Sequence, residues 1–466
     1  MTVQEKTSTS LWKLRLLWLC ALGVLFSLSY QATNNYAASL PYVANIRFDW
    51  EQYIPLIPWT IVPYWSIDLL YATAFFLPNT RKELNTLGLR LLSAQIICCV
   101  LFVLFPLTFS VERPIVEGLF GELFRLLMLF DQPFNQAPSL HVVLAIILNR
   151  CYFQYLNRFS SPLMKTVRLV FIIWFALIAL SVLTTWQHHF LDLPLGILAG
   201  VFILWCWPTH LKSPLSNLRW RYLVKDTLAD ASLLHQKKRA QIAFRYFSVS
   251  LSLLSLAIYF SGMCLTLIWP STCFFLVALN YAVLGTLGFQ KQDNGHFCLA
   301  SIWLYAPYFL VLRLITRFYS GQSDPANEVV KGIWVGRKPD QTEILQYAGV
   351  LDMCAESPIS IAPGIQYEQQ ARLDLIPVTP QQCWQAAQAL DRLMKQTDAK
   401  GKVLVFCALG YSRSCTAVMA WLLVKGLAEN AQQALEIMKK ARPHCVIHDF
   451  HLKALDQMID LSEISH

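Results

Sequence analysis

The sequence predicts a polytopic α-helical membrane bundle followed by a soluble α/β domain, and three observations predict it. Of 466 residues, 55% are hydrophobic and only 14% charged, with 15 Trp and 28 Phe, a balance too apolar for a chain that lives in water. Apolar segments of about spanning length recur from Leu16 to residue 316, with basic residues gathered between them. From residue 328 onward the pattern changes to short apolar runs alternating with amphipathic stretches, over a length sufficient for one compact core of about 140 residues.

Lys6, Lys13 and Arg15 precede the apolar run Leu16 to Leu28, and no small-residue cleavage pattern follows near Tyr30 to Ala38. That run reads as a first membrane helix with a cytoplasmic N-terminus, not a cleaved signal. Further spans are expected at 57–78, 86–110, 139–156, 167–186 and 189–208. Arg81 and Lys82, then Arg150, Arg158, Lys165 and Arg168, then Lys212, Arg219, Arg221 and Lys225 fall on one side of this six-helix domain (1–208), which is therefore cytoplasmic. Residues 111–138 and the turn near His188 fall on the other.

Residues 209–246 form a basic connector with Lys237, Lys238 and Arg239, expected either at the anionic membrane surface or in solvent. Three more apolar segments follow, at 247–268, 272–290 and 297–316, giving two or three membrane helices in 247–317. Nine spans from a cytoplasmic start would put the C-terminal domain outside, whereas Arg313 and Arg317 favour a cytoplasmic exit. The five cysteines at 354, 383, 407, 415 and 445 suit a reducing compartment, so cytoplasm is favoured and one late segment must not span. The formal net charge of +9 reflects loops beside an inner, plasma-type membrane, not nucleic-acid binding. Thirteen cysteines without a CxxC pair or metal-ligand spacing give no reason to expect a metal, a cofactor or a disulfide framework.

A linker at 318–327 leads into the soluble domain, 328–466. Strands are expected at Val329–Val335, Val350–Met353 and Arg372–Val378, and helices at Thr342–Ala348, Gln381–Gln396, Asn430–Ala441 and Phe450–Leu461. Within it, Lys402 to Val418 (KVLVFCALGYSRSCTAV) reads as strand, small loop and helix. A loop from Cys407 to Arg413 that turns its amides inward at a helix N-terminus forms a cradle for a phosphate, with Gly410 and Ser412 in its wall. Cys407 at the base is then the nucleophile, Arg413 a planar fork for two phosphoryl oxygens, and Ser414 a donor to the sulfur.

This stretch resembles the Cys-x5-Arg-Ser/Thr signature of cysteine-dependent dual-specificity phosphatases, and IWVGRKPDQTEILQYAGVLDMCAESP resembles the opening of the same domain. The resemblance covers 328–462 and implies hydrolysis of phosphate monoesters, on phosphoproteins or lipids, through a phosphocysteine. Phe406 stands where the family has histidine. The family places its general acid just after an Ile-Pro-Val type strand, where Thr379 and Pro380 stand here, so Asp374 inside the expected strand is the nearest carboxylate for that role.

A second constellation lies in the membrane domain. Pro138-Ser139-Leu140-His141 opens the fourth span and His188-His189-Phe190-Leu191-Asp192 the sixth, on the same membrane face. Ionisable groups at the head of apolar helices need partners and mark function. Asp192 would orient His188 for attack on phosphorus while His141 protonates the leaving oxygen. These residues resemble the second and third motifs of the type 2 phosphatidic acid phosphatase superfamily, with Ser139 and Arg113 in phosphate-binding roles. Pro106 replaces the lysine of the first motif and Val182 the arginine of the third, as in the inositol phosphorylceramide synthase-like branch. The combined expectation is a membrane phosphatase acting on phospholipids or isoprenyl phosphates. Lipid headgroup transfer, and a phosphate-binding sensor with an inactive C-terminal domain, stand as alternatives.

Overall fold

A computed structural model describes residues 3–216, 229–320, 324–397 and 401–463. Arg219, Arg221 and Lys225 of the basic connector and Gly321 of the linker lie outside them. The chain divides into two compact units, Met1–Ser213 with Phe260–Thr266, and Pro214–Tyr259 with Leu267–His466.

The first unit is helical: α1 (Val3–Ala38), α2 (Ile61–Ala74), α3 (Arg81–Leu104), α4 (Gly118–Phe130), α5 (Leu140–Leu156), α6 (Pro162–Thr184) and α7 (Asp192–Cys206). The six expected spans each contain a helix, and α4 is an addition inside a stretch read as a connection. Leu11–Ala38, Arg81–Leu104 and Pro162–Thr184 are long and apolar enough to cross a membrane, while α5 and α7 are shorter apolar helices. α5 packs against α2, α3, α6 and α7. Gly196 and Gly200 on α7 let it approach α5 closely, since a Cβ on either would lie 2.8 Å from Val142 or 2.9 Å from Ile146. That approach joins the two motif-bearing helix starts, and the Ser139 amide donates to the Asp192 carbonyl at 3.1 Å.

In the second unit, α8 (Ala229–Phe260) takes in residues 229–246 of the basic connector and the following span as one continuous helix. α9 (Ile268–Leu279) follows, extended by short π and 3-10 turns to Phe289. His235–Phe260 and Gly262–Phe289 are long and apolar enough to cross a membrane. The last expected span is broken at Tyr305 into α10 (Leu299–Leu304) and α11 (Ala306–Ser320). Fifteen helical residues reach only about 22 Å, short of the roughly 30 Å hydrocarbon core.

The α/β part carries a five-stranded mixed sheet in the order β1-β2-β5-β3-β4. β1 (Ala326–Val330) and β2 (Ile333–Arg337) form an antiparallel hairpin through Gly332, at φ +85°, where the sequence reading had one strand. β2, β5 (Val403–Cys407), β3 (Gly349–Cys354) and β4 (Gln366–Arg372) run parallel. The expected helix at 342–348 is a single 3-10 turn, Glu343–Gln346. α12 (Pro380–Gln396), α13 (Arg413–Val424), α14 (Ala431–Ala441) and α15 (Asp449–Glu463) complete it. β3 and β5 are buried along their whole length; β5 reads as an unbroken apolar run, and β3 as one interrupted by Asp352.

The expected strand Arg372–Val378 is a correction. β4 ends at Arg372, Leu375 adopts φ +60°, and Pro377 has no amide to give a ladder, so 373–379 is a loop.

Candidate active site

β5 delivers Cys407 at its C-terminal end, at the centre of the sheet, and α13 begins six residues later. The intervening loop is turned inside out relative to ordinary chain. The Ala408 carbonyl accepts from the Lys338 amide, Leu409 and Gly410 carbonyls from Arg442, Tyr411 from the Val446 amide at 2.7 Å, and Ser412 from the Thr416 amide at 2.8 Å. Four successive loop carbonyls are bonded away from the loop and the Ser412 carbonyl opens the helix, an arrangement that would turn the following amides toward the loop's centre as an anion-binding nest at a helix N-terminus. The Gly410 amide shows that sense directly by donating to the Cys407 sulfur at 3.2 Å. Gly410 sits at φ +72°, and a Cβ there would lie 2.3 Å from the Gly336 carbonyl carbon, so only glycine fits.

Cys407 is buried, yet its sulfur is not in an apolar hole: Ser414 Oγ donates to it at 3.4 Å beside the Gly410 amide. Two hydrogen-bond donors thus meet at the one sulfur that the loop encloses.

Arg413 is 4% exposed. Its two terminal nitrogens grip Glu356 in a fork, at 2.9 and 2.6 Å, Nη1 also donates to the Arg372 carbonyl at 2.8 Å, and Nη2 lies 3.1 Å from Asp374. Burial opposes the charge, but the Asp374 and Glu356 carboxylates outweigh it and hold the guanidinium above its usual range. Nε, fully buried, has no hydrogen-bond partner among the described residues. A buried donor left open beside a ring of inward amides is the position an anion's oxygen would fill.

Asp374 lies in the loop between β4 and α12, with its side chain 44% exposed and its carboxylate against Arg413. It therefore stands in the loop after β4, ahead of Ile376-Pro377-Val378, and not within a strand. The loop that carries it is held from outside by His235 of α8, whose Nδ1 lies 3.0 Å from the Pro377 carbonyl.

Three contributors escaped the sequence reading. Glu356 sits in the quoted Met-Cys-Ala-Glu stretch, but nothing local told of its pairing with a residue 57 positions away. Arg442, 1% exposed, bonds Gly410 and Leu409 carbonyls, the Asp324 carbonyl and Asn327. His451 lies 3.2 Å from Ser412 Oγ and accepts the His448 amide on Nδ1, so its Nε2 carries the proton and donates. Ser412 is thus positioned through His451. Phe406, in place of the family histidine, is fully buried in the sheet's core.

In the first unit, His188 Nδ1 lies 3.0 Å from Asp192 Oδ2, and both are buried. Ser139 Oγ and Asp192 Oδ1 are buried without a hydrogen-bond partner among the described residues. His141 stacks on Tyr64 at 4.0 Å between ring centroids. Arg113 spends its donors on the Thr185 and Trp186 carbonyls, both at 2.9 Å, and lies over the Phe124 ring. It braces the turn that precedes His188. His189 pairs with Glu51 at 2.8 Å and stacks on Phe109, a structural pairing the sequence did not reveal.

Residues 336–460 match the family model described as dual specificity phosphatase, catalytic domain. No curated protein matches the chain. Among solved structures, PTPMT1 in complex with PI(5)P is 17% identical with a TM-score of 0.27, covering 31% of this chain and 100% of its own. Human DUSP28 is 19% identical with a TM-score of 0.26, covering 30% and 97%. Tk-PTP in the active form is 17% identical with a TM-score of 0.26, covering 29% and 97%. Likenesses at these scores carry no functional argument. The dual specificity phosphatase domain rests on the family match over residues 336–460.

Proposed function

We propose that the chain is a membrane-bound phosphatase whose C-terminal domain hydrolyses phosphate monoesters through a phosphocysteine. The observation that carries this reading is the inward-facing amide ring over Cys407, completed by the open Nε of Arg413. Sγ of Cys407 attacks phosphorus in line, the P–O bond to the leaving group breaks, and Asp374 gives its proton to that oxygen. The amides and Arg413 hold the equatorial oxygens throughout. Water then attacks the phosphocysteine, giving its proton to Asp374, and inorganic phosphate leaves. Ser414 Oγ–H stabilises the thiolate that departs. Asp374 at the mouth weighs against the sensor reading.

Substrates anchored in lipid, such as phospholipid or isoprenyl phosphate monoesters, fit a domain sharing one compact unit with helices apolar enough to cross a membrane. Phosphoproteins at the same surface are the other class.

A second reading adds a phosphohistidine site in the first unit, related to type 2 phosphatidic acid phosphatases. The His188–Asp192 dyad beside two unpartnered buried oxygens favours it. That site would serve either hydrolysis or headgroup transfer. The test is phosphate release by the full-length protein in vesicles from a panel of phosphatidic acid, phosphatidylglycerol phosphate, isoprenyl phosphate and phosphopeptide. Loss in Cys407→Ser with retention in His188→Ala supports the first reading. The reverse pattern overturns it in favour of the membrane site.

A further inference from the structure

Between α9 and α10 the chain makes a small hairpin. Lys291 bridges Phe297 in antiparallel sense, the Gln292 amide donates to the His296 carbonyl, and Gly295 turns at φ +81°. The hairpin belongs by sequence to the helical segment, yet its polar groups are used on the α/β domain. Lys291 Nζ donates to Asp352 Oδ2 at 2.5 Å and to the Cys354 carbonyl at 2.8 Å. The side chains of this ion pair are 2% and 0% exposed. Asp352 is otherwise served by Tyr367 Oη at 2.9 Å and by the Cys354 amide at 2.8 Å. On the far side of the same loop, the Ile359 amide donates to the Gly295 carbonyl at 3.0 Å. A Cβ on Gly295 would lie 2.6 Å from Ile359, so the contact is close.

Both ends of the Ala355–Pro358 loop are therefore held by the hairpin, and that loop carries Glu356, which forks onto Arg413. We propose that Lys291 is a positioning residue for Arg413: it fixes the end of β3, β3 fixes Glu356, and Glu356 sets the guanidinium over Cys407. This rests on the phosphocysteine reading. It goes beyond it by making the helical segment a working part of the site, and not a tether alone. Without the lysine, Asp352 is a buried carboxylate short of its counter-charge, and the strand end must open to hydrate it. Glu356 and Arg413 would shift with it. Misplacement by about an ångström costs such chemistry roughly a hundredfold.

The test uses the full-length protein in detergent, as wild type, K291M, K291R, D352N and C407S. Binding of inorganic vanadate is measured by calorimetry, kcat and KM with p-nitrophenyl phosphate, and folding by thermal melting. The expected result is vanadate affinity and kcat both lower by about tenfold or more in K291M and D352N at melting temperatures where the protein remains folded. K291R, which keeps the charge, should lie within about threefold of wild type. If K291M does not fold, D352N and K291R are read in the same way. Vanadate affinity equal to wild type in K291M, or in D352N where K291M is lost, overturns the inference. Wild-type turnover unaffected by C407S would instead overturn the phosphocysteine reading, and vanadate binding needs no turnover, so the two failures are distinguishable.

Discussion

Asp374 and Cys407 divide one proton and one electron pair between them, and substitution separates their tasks. Cys407→Ser should abolish turnover, because an alkoxide nucleophile is not available near neutral pH. Asp374→Asn should lower kcat on an alkyl phosphate by about 10²-fold or more, the usual contribution of a general acid. It should leave the burst of p-nitrophenolate, which reports phosphocysteine formation alone, far less affected, since that leaving group needs no proton. Equal losses in phosphocysteine formation from both substrates would remove Asp374 from the role of general acid. His451 offers a pH signature. Burial, and next the nearby His448, push its imidazole down to about 4. The unfolded chain protonates near pH 6.5, so between about 6.5 and 4 the unfolded state binds more protons and stability falls as pH falls. The order of magnitude is about 3 kcal/mol across that window. Thermal melts of His451→Gln against wild type should show a flatter acid limb, and parallel curves would contradict the assignment.

At the scale of elements, what could be read from the sequence was what lies contiguous in it. Cys407, Gly410, Ser412, Arg413 and Ser414 occupy one strand-loop-helix stretch, in which the Gly410 amide and Ser414 Oγ meet the Cys407 sulfur while the terminal nitrogens of Arg413, expected as a fork for phosphoryl oxygens, grip Glu356. Glu356, Arg442 and His451 come from β3's end, α14's end and α15, and only the sheet and its covering helices bring them to the loop. β4 was misplaced for a physical reason. Its residues Gln366–Arg372 are mostly polar because it is an edge strand, whereas the apolar Leu-Asp-Leu-Ile-Pro-Val that follows mimics strand alternation. Glu356→Gln keeps the shape of the Arg413 partner and removes its charge. kcat/KM should fall by roughly tenfold to a hundredfold, with vanadate affinity falling in parallel. Unchanged vanadate binding would show that Asp374 and the Arg372 carbonyl suffice to hold the guanidinium.

For the whole molecule, hydrophobic segments were legible as helices, but their lengths were not. Whether an apolar run continues through a Tyr305 or stops there depends on what packs against it, and Tyr305 donates to the Gly288 carbonyl at 3.0 Å inside a buried cluster. Of the basic connector read as surface, residues 229–246 are the start of a long helix. Arg239 there is buried and bonded to the Tyr281 carbonyl at 2.7 Å. Arg239 is thus a structural partner within the second unit, whereas Lys237 and Lys238 are exposed. The second unit joins apolar helices to the α/β domain in one compact body. In the function proposed above, a phosphate ester presented at a membrane would meet the loop amides, the Arg413 guanidinium and the Cys407 sulfur.

The most direct measurement is a denaturing quench of the full-length protein at mildly alkaline pH during turnover, followed by mass spectrometry of the peptides that carry Cys407 and His188. The account predicts a phosphoryl group on Cys407 that accumulates in wild type and is absent in Arg413→Ala. A phosphoryl group found on His188, with Cys407 unmodified during turnover, would contradict it.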